Sequence, residues 1–258
     1  MLIDSHAHLD MKEFYSDRDQ AIERAISADV RRIITVGIDI LSSLNAMRLT
    51  KTYPCVFASI GIHPHNADNA HKNDLEKISL IAQQEKIVAI GETGLDFYRN
   101  RSPREKQIKL FKQQLDIAIS LCLPVVIHDR EAHTETLKIL SSFKRNRLTG
   151  MIHCFSGDYN LARIFIDMGY YISIPGTVTF KNASQIQDVA RRVPLNKILI
   201  ETDAPFLAPT QYRGKRNEPS YIIHTAQKVA NLRGISFEEV SHHTSKNACQ
   251  LFNLSLLE

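Results

Sequence analysis

Two kinds of hydrophobic pattern alternate along the whole chain. Short, near-continuous apolar or β-branched runs recur at Met1 to Asp4, Arg32 to Gly37, Val56 to Gly61, Ile87 to Glu92, Pro124 to His128, Gly150 to His153, Tyr170 to Ile174 and Ile198 to Asp203, and each predicts a strand. Between them apolar residues fall at helical spacing, as in Leu110, Phe111, Leu115, Ala118 and Leu121, or Leu161, Ile164, Phe165 and Met168. Strands that are apolar on both faces belong in a parallel sheet covered by helices. Eight of them, each followed by a helical pattern, favour an α/β fold closed into a (β/α)8 TIM barrel over an open doubly wound sheet. No GxGxxG or Walker A sequence argues for the open form. After the eighth strand, the polar loop Leu207 to Pro219 leads to helices expected at Tyr221 to Leu232 and Phe237 to Phe252, which would close the ring. No repeat or flexible linker interrupts the pattern, so residues 1–258 read as one domain.

Composition narrows the class without naming a chemistry. The 258 residues match the length that α/β barrels commonly fill as one unit. With 43% hydrophobic and 23% charged residues, the chain falls outside the disordered and fibrous classes. Its 4 cysteines are dispersed without a CxxC pair, which fits reduced thiols and a cytoplasmic setting. Only Leu2 and Ile3 stand between Met1 and Asp4, and no apolar run approaches the roughly 18 residues of a membrane span, so neither export nor membrane insertion is expected. The net charge of +4 permits a polyanionic partner without demanding one. Basic clusters at Arg99, Arg101, Arg104 and Lys106, at Lys144, Arg145 and Arg147, and at Arg213, Lys215 and Arg216 read most simply as solvated faces. No basic stripe interleaved with aromatics stands out along the sequence.

The histidines carry more information. His6 and His8 end the first predicted strand, His63 and His65 the third, His128 the fifth and His153 the sixth, while Glu92 ends the fourth and Asp203 the eighth. In a barrel these carboxyl ends converge on one face, so six strands deliver metal-type ligands to one rim. His71, His133, His224, His242 and His243 fall elsewhere. The period of two along a strand turns His6 and His8 to one side and Ala7 to the other, a spacing that suits chelation as well as it suits a hydrogen-bonded pair. His128 and His153, each taken alone, read as structural histidines; their convergence with the others points to a metal. Glu92 ends an apolar run between glycines, where an unpaired acid is costly and a cation supplies the pairing; tying down a loop is the other reading. Asp203 has the same two readings, plus a helix-capping role ahead of Pro205. Glu201 lies one layer deeper on the same face and reads as support. Alternation turns Cys154 away from His153, which gives it a packing role.

Taken in order, several segments resemble the TatD-type metal-dependent hydrolases of the amidohydrolase-like barrels. They are His6-Ala7-His8, Gly61-Ile62-His63-Pro64, Gly91-Glu92-Thr93-Gly94-Leu95-Asp96, His128 with Arg130, His153-Cys154-Phe155-Ser156-Gly157, Glu201-Thr202-Asp203-Ala204-Pro205 and Arg213-Gly214-Lys215-Arg216-Asn217-Glu218-Pro219. The likeness covers essentially the whole chain. It implies two divalent ions and deoxyribonuclease activity, one ion on His6, His8, Glu92 and Asp203, the other on Glu92, His128 and His153, with Glu92 bridging. Many barrels of the wider group bridge their metals with a carboxylated lysine. Here the fourth strand offers Glu92 and the fifth begins at Pro124, which favours the carboxylate-bridged subclass.

Phosphodiester hydrolysis is the chemistry such a pair suits, because two cations about 3.5 to 4 Å apart activate water and steady the phosphoryl oxygens. Asp203 is expected to hold the water's proton and orient it. His63 would donate to the phosphate or leaving oxygen, or else fix the Pro64 turn. His65, Arg130 and Arg213 are expected phosphate contacts, and Asp96 orders its loop. The ions could be Zn, Mn, Mg, Co or Ni, with the histidine-rich donor set suiting Mg2+ least. A recessed site suits a strand end, and together with the resemblance this implies a 3′–5′ exonuclease-like deoxyribonuclease on single-stranded DNA, with no obligate protein partner expected. Two rivals remain: a small-molecule amidohydrolase or phosphotriesterase-like hydrolase using the same centre, and a non-catalytic metal-dependent nucleic-acid-binding protein.

Overall fold

The computed structural model describes residues 1–143 and 148–255. The basic cluster Lys144, Arg145 and Arg147 therefore lies outside the described residues. Eight strands form one parallel sheet in sequential order: β1 (Leu2–Ala7), β2 (Val30–Val36), β3 (Val56–Ile60), β4 (Ile87–Asp96), β5 (Val125–Arg130), β6 (Gly150–Ile152), β7 (Tyr171–Ile174) and β8 (Ile198–Ile200). The helices that follow them are α1 (Arg18–Ser27), α2 (Ile40–Thr52), α3 (Lys72–Ile81), α4 (Arg104–Ser120), α5 (His133–Ser142), α6 (Tyr159–Asp167), α7 (Ser184–Arg192) and α8 (Ile222–Arg233), with α9 (Phe237–Phe252) at the end. This is the (β/α)8 TIM barrel. The seam between β8 and β1 is sewn by Ser5 Oγ donating to the Ile200 carbonyl at 2.8 Å, Asp203 N to the His6 carbonyl at 2.9 Å and His8 N to the Ala204 carbonyl at 2.7 Å. Among the described residues no helix is long and apolar enough to cross a membrane.

Hydrophobic runs mark where strands lie but not where they stop. β4 runs past Glu92 to Asp96, and Thr93 to Asp96 pair in register with Ile127 to Arg130 of β5. Two glycines allow this close approach. Gly91 and Gly94 have φ of 146° and 134°, and a Cβ on either would collide with the carbonyl of Val126 or of His128. β8, by contrast, ends at Ile200, which leaves Asp203 beyond the strand at φ 55°. No helix begins at Pro205, so Asp203 is not a helix cap.

One face of the sheet packs under the helices, through residues such as Leu2, Ile33, Phe111 and Phe165. The barrel interior is a second cluster, Ile3, Ile34, Val126, Met151 and Leu199, and it is joined by Ala248, Cys249, Leu251 and Phe252 of α9. Ser241 and Ser245 of α9 donate to the Met1 carbonyl, and Asn247 to the carbonyls of Leu195 and Ile198. All those carbonyls lie at strand starts, so α9 plugs the amino-terminal mouth. As expected, both terminal helices pack on β1 and β8, and α8 also packs against α7.

Candidate metal centre

The structure gathers His6, His8, His63, Glu92, His128, His153 and Asp203 at the carboxyl-terminal mouth, all buried or nearly so. His6 Nε2 and His8 Nε2 are 3.2 Å apart. Glu92 Oε2 lies 3.5 and 3.7 Å from them, and Asp203 Oδ1 3.7 and 3.5 Å. Four ligands on tetrahedral bonds of about 2.1 Å stand about 3.4 Å from one another, so this spacing suits a single cation. The other oxygen of the same carboxylate serves a second group. Glu92 Oε1 is 2.7 Å from His128 Nδ1, 3.5 Å from His153 Nε2 and 3.4 Å from His63 Nε2.

Neighbours of the rings decide which nitrogen is free to act as a ligand. His8 Nδ1 faces the Val36 carbonyl at 2.8 Å, so that nitrogen carries the proton and Nε2 presents its lone pair to the cluster. Glu201 Oε1 lies 3.0 Å from His153 Nδ1, near enough for its charge to favour a proton on that nitrogen, although the contact is not aligned as a hydrogen bond. His128 is turned the other way, its Nε2 at 3.2 Å from Asp96 Oδ2 and its Nδ1 toward Glu92. A lone pair 2.7 Å from a carboxylate oxygen repels it unless a proton or metal cation lies between. His63 differs from these three. Its Nδ1 accepts from His65 N at 3.0 Å, so its Nε2 carries a proton and acts as a donor. His6 stacks on His153 at 3.6 Å between ring centroids, and its buried Nδ1 has no partner among the described residues.

Charge balance follows from the same contacts. Burial alone would push Glu92 up, but the imidazoles of His63, His153, His128 and His6 hold it well below the usual carboxylate range. Asp203 is held down against burial by His8, His153 and His6. Their partners respond in kind: despite burial, Asp203 and Glu92 raise His8 to about 9, and Asp96 and Glu92 raise His128 to about 9. Burial lowers His63 to about 4, which keeps it neutral. A cluster of ionised carboxylates and neutralisable imidazoles is able to bind divalent metal, and metal entry must displace protons from it.

Comparison with known proteins agrees with this geometry. Residues 3–253 match the model of the TatD related DNase family. The chain belongs to that family. A Bacillus subtilis metal-dependent hydrolase, YabD, is 40% identical over 99% of this chain and 100% of its own length. The 3′-5′ ssDNA/RNA exonuclease TatD of Salmonella typhimurium is 34% identical over 98% of this chain and 99% of its own. The crystal structure of YjjV, a TatD homologue of Escherichia coli, superimposes with a TM-score of 0.93 at 30% identity, covering 98% of both chains. This TatD-family chain is thus a metal-dependent hydrolase, an enzyme rather than a binding module.

Other rim residues of the TatD-family chain sort into two kinds. Arg130 and Arg213 are exposed and lie over the rings of Tyr98 and Phe180 at 4.4 and 4.9 Å, with no ion pair among the described residues. Arg216, from the same basic cluster as Arg213, is committed to Asp17. His65 donates from Nε2 to Asp96 Oδ2 at 2.8 Å, so Asp96 holds His65 and His128 together. Cys154 departs from the alternation read in the sequence. β6 ends at Ile152, and Cys154 sits at φ 45°, which brings its Sγ within 4.8 Å of donor atoms of His153 and Asp203. Sequence reasoning also passed over Asp4. Fully buried, it accepts from Thr202 N at 3.0 Å and from His6 N at 3.3 Å, and so ties the strand carrying His6 to the loop carrying Asp203. An acid inside the apolar run Leu2 to Ser5 was the available signal.

Proposed function

We propose that this enzyme is a 3′–5′ exonuclease that hydrolyses phosphodiester bonds of single-stranded DNA, using two divalent ions (Zn, Mn, Mg, Co or Ni). The observation that carries the reading is the division of Glu92, with Oε2 in one donor group and Oε1 in the other. His6, His8, Glu92 and Asp203 would hold one ion, and Glu92, His128 and His153 the other. Bound divalent ions lower the pKa of water and draw charge from a phosphoryl oxygen. The remaining work belongs to the chain. Asp203, at the edge of the first group, accepts the attacking water's proton and fixes its direction. His63, neutral and protonated on Nε2, donates to an oxygen of the scissile phosphate or the leaving group. Arg130 and Arg213 hold the phosphate from the rim, beside His65 whose N–H is given to Asp96, and two unpaired guanidiniums there favour an anion over a neutral amide or lactone. The exonuclease activity named for the Salmonella relative supports the substrate class.

The test is Asp203→Asn assayed on a 3′-labelled single-stranded oligonucleotide, with metal content measured on the same sample. Turnover should fall by about 10²- to 10⁴-fold while metal stays bound. Near wild-type turnover with full metal content would reject the assignment. Closed circular DNA cut as fast as free ends would reject the exonuclease reading.

A further inference from the structure

Two large aromatic side chains stand in water on either side of the donor cluster. Phe206 is 47% exposed and Tyr98 62% exposed. The Phe206 ring stands 6.2 Å from the His8 ring, edge to face. Its turn is fixed, with Phe206 N donating to the Asp203 carbonyl at 2.8 Å and Asn217 Nδ2 donating to the Phe206 carbonyl at 2.7 Å. Tyr98 lies two residues beyond the end of β4 and carries the Arg130 guanidinium over its ring. Phe206 follows β8 and Tyr98 follows β4, which are diametrically placed strands in a ring of eight. Arg213, stacked on Phe180 beyond β7, adds a second exposed guanidinium to the same rim.

Single exposed apolar residues are ordinary on protein surfaces. These two differ in their placement: one follows each of two opposite strands beside the metal-type donors, Phe206 against the His8 ring and Tyr98 under a guanidinium with no ion pair among the described residues. Aromatic rings alternating with cations along a groove is the pattern that holds single-stranded nucleic acid, because every base has a face to stack. In a duplex those faces are already stacked on neighbouring bases. We propose that Phe206 and Tyr98 are base-stacking platforms, which seat the two nucleotides flanking the scissile phosphodiester and select single-stranded DNA over duplex. This inference rests on the nuclease reading given above. Phe206 and Tyr98 act as positioning residues, with the chemistry left to the groups between them.

The experiment measures kcat and KM of wild type, Phe206→Ala, Tyr98→Ala and Phe206→Trp on two short single-stranded oligonucleotides. One is ordinary DNA, and the other has abasic residues at the two nucleotides flanking the terminal phosphodiester. On ordinary DNA each alanine variant should lose about 5- to 150-fold in kcat/KM, mainly through KM, and Phe206→Trp should restore it. On the abasic-ended strand the gap between wild type and variant should close to within about twofold, because no base remains to stack. An equal loss on both strands, or no loss on ordinary DNA, overturns the platforms while leaving the nuclease reading intact. Failure of the wild type to degrade either strand with Mg2+, Mn2+ or Zn2+ supplied overturns the nuclease reading, and the platforms with it.

Discussion

The two mouths of the barrel are made from opposite ends of the same eight strands, yet they are finished in opposite ways. At the carboxyl end, strands and the turns after them present imidazoles and carboxylates to a shared space, with Glu92 at its centre. At the amino end, α9 fills the opening with Cys249, Leu251 and Phe252, and even the buried Arg32 is turned to internal use, donating to Ser255 Oγ and lying over the Phe57 ring at 5.5 Å. The open mouth keeps ionised carboxylates among imidazoles, an arrangement that protons or a metal cation balance. The closed mouth exchanges that reactivity for burial. Stability and chemistry are thus assigned to different ends of one barrel, and each should be removable without the other.

Glu92→Ala gives the largest separation. Both donor groups lose an oxygen, so elemental analysis should find metal at background level and DNA hydrolysis should drop by more than the roughly 10²-fold that loss of an outer hydrogen bond causes. Far-ultraviolet circular dichroism should be unchanged, and full metal content in this variant would break the comparison. Phe252→Ala is the mirror experiment at the closed mouth. Urea unfolding should show about 3 to 5 kcal/mol less stability, with turnover per folded molecule unaltered. A fall in turnover of the folded fraction would show that the mouths are coupled. Glu201→Gln probes the layer between them. Glu201 accepts from Cys154 N at 2.7 Å and Ser173 Oγ at 2.6 Å while facing His153, so metal affinity should weaken by about 10- to 100-fold in a competition titration. The smallest effect lies at the outer edge of the open mouth, away from the donors. Arg216 and Arg24 hold Asp17 down to about 2, so its contribution to stability is complete above the ordinary carboxylate pKa of about 4 and disappears as the pH falls toward 2. Asp17→Asn should flatten that part of the melting temperature against pH by a small margin, since exposed pairs contribute about 1 kcal/mol or less.

Strand positions were legible because each strand is buried on both faces and reads as a continuous apolar run. The extension of β4 was not, since Thr93 to Asp96 are held by pairing with β5 and by two glycines, neither of which shows as hydrophobicity. α9 was legible as a helix with the observed limits Phe237–Phe252, but its amphipathic pattern suits the side of a barrel as well as its base. Strand ends brought the histidines and acids to notice. Which nitrogen each ring offers was hidden, because Val36, Asp96 and Glu201 come from other strands or from beyond their ends. Cys154 was misplaced because a left-handed residue breaks alternation. The pairing of Tyr98 with Arg130 is likewise made by the fold, as the two residues come from separate strand ends.

The seam between β8 and β1 also sets an order in time. His6 reaches the Asp203 loop only after nearly the whole chain exists, and the Met1 carbonyl waits longer still for Ser241 and Ser245. During synthesis the first strand therefore has β2 on one side and an open edge on the other, and the donor atoms of His6 and His8 lack Asp203. Contacts of such sequence separation form late and slowly. A chain still on the ribosome presents the donor group of His6 and His8 without its last carboxylate, so that group is completed only when the polypeptide nearly is.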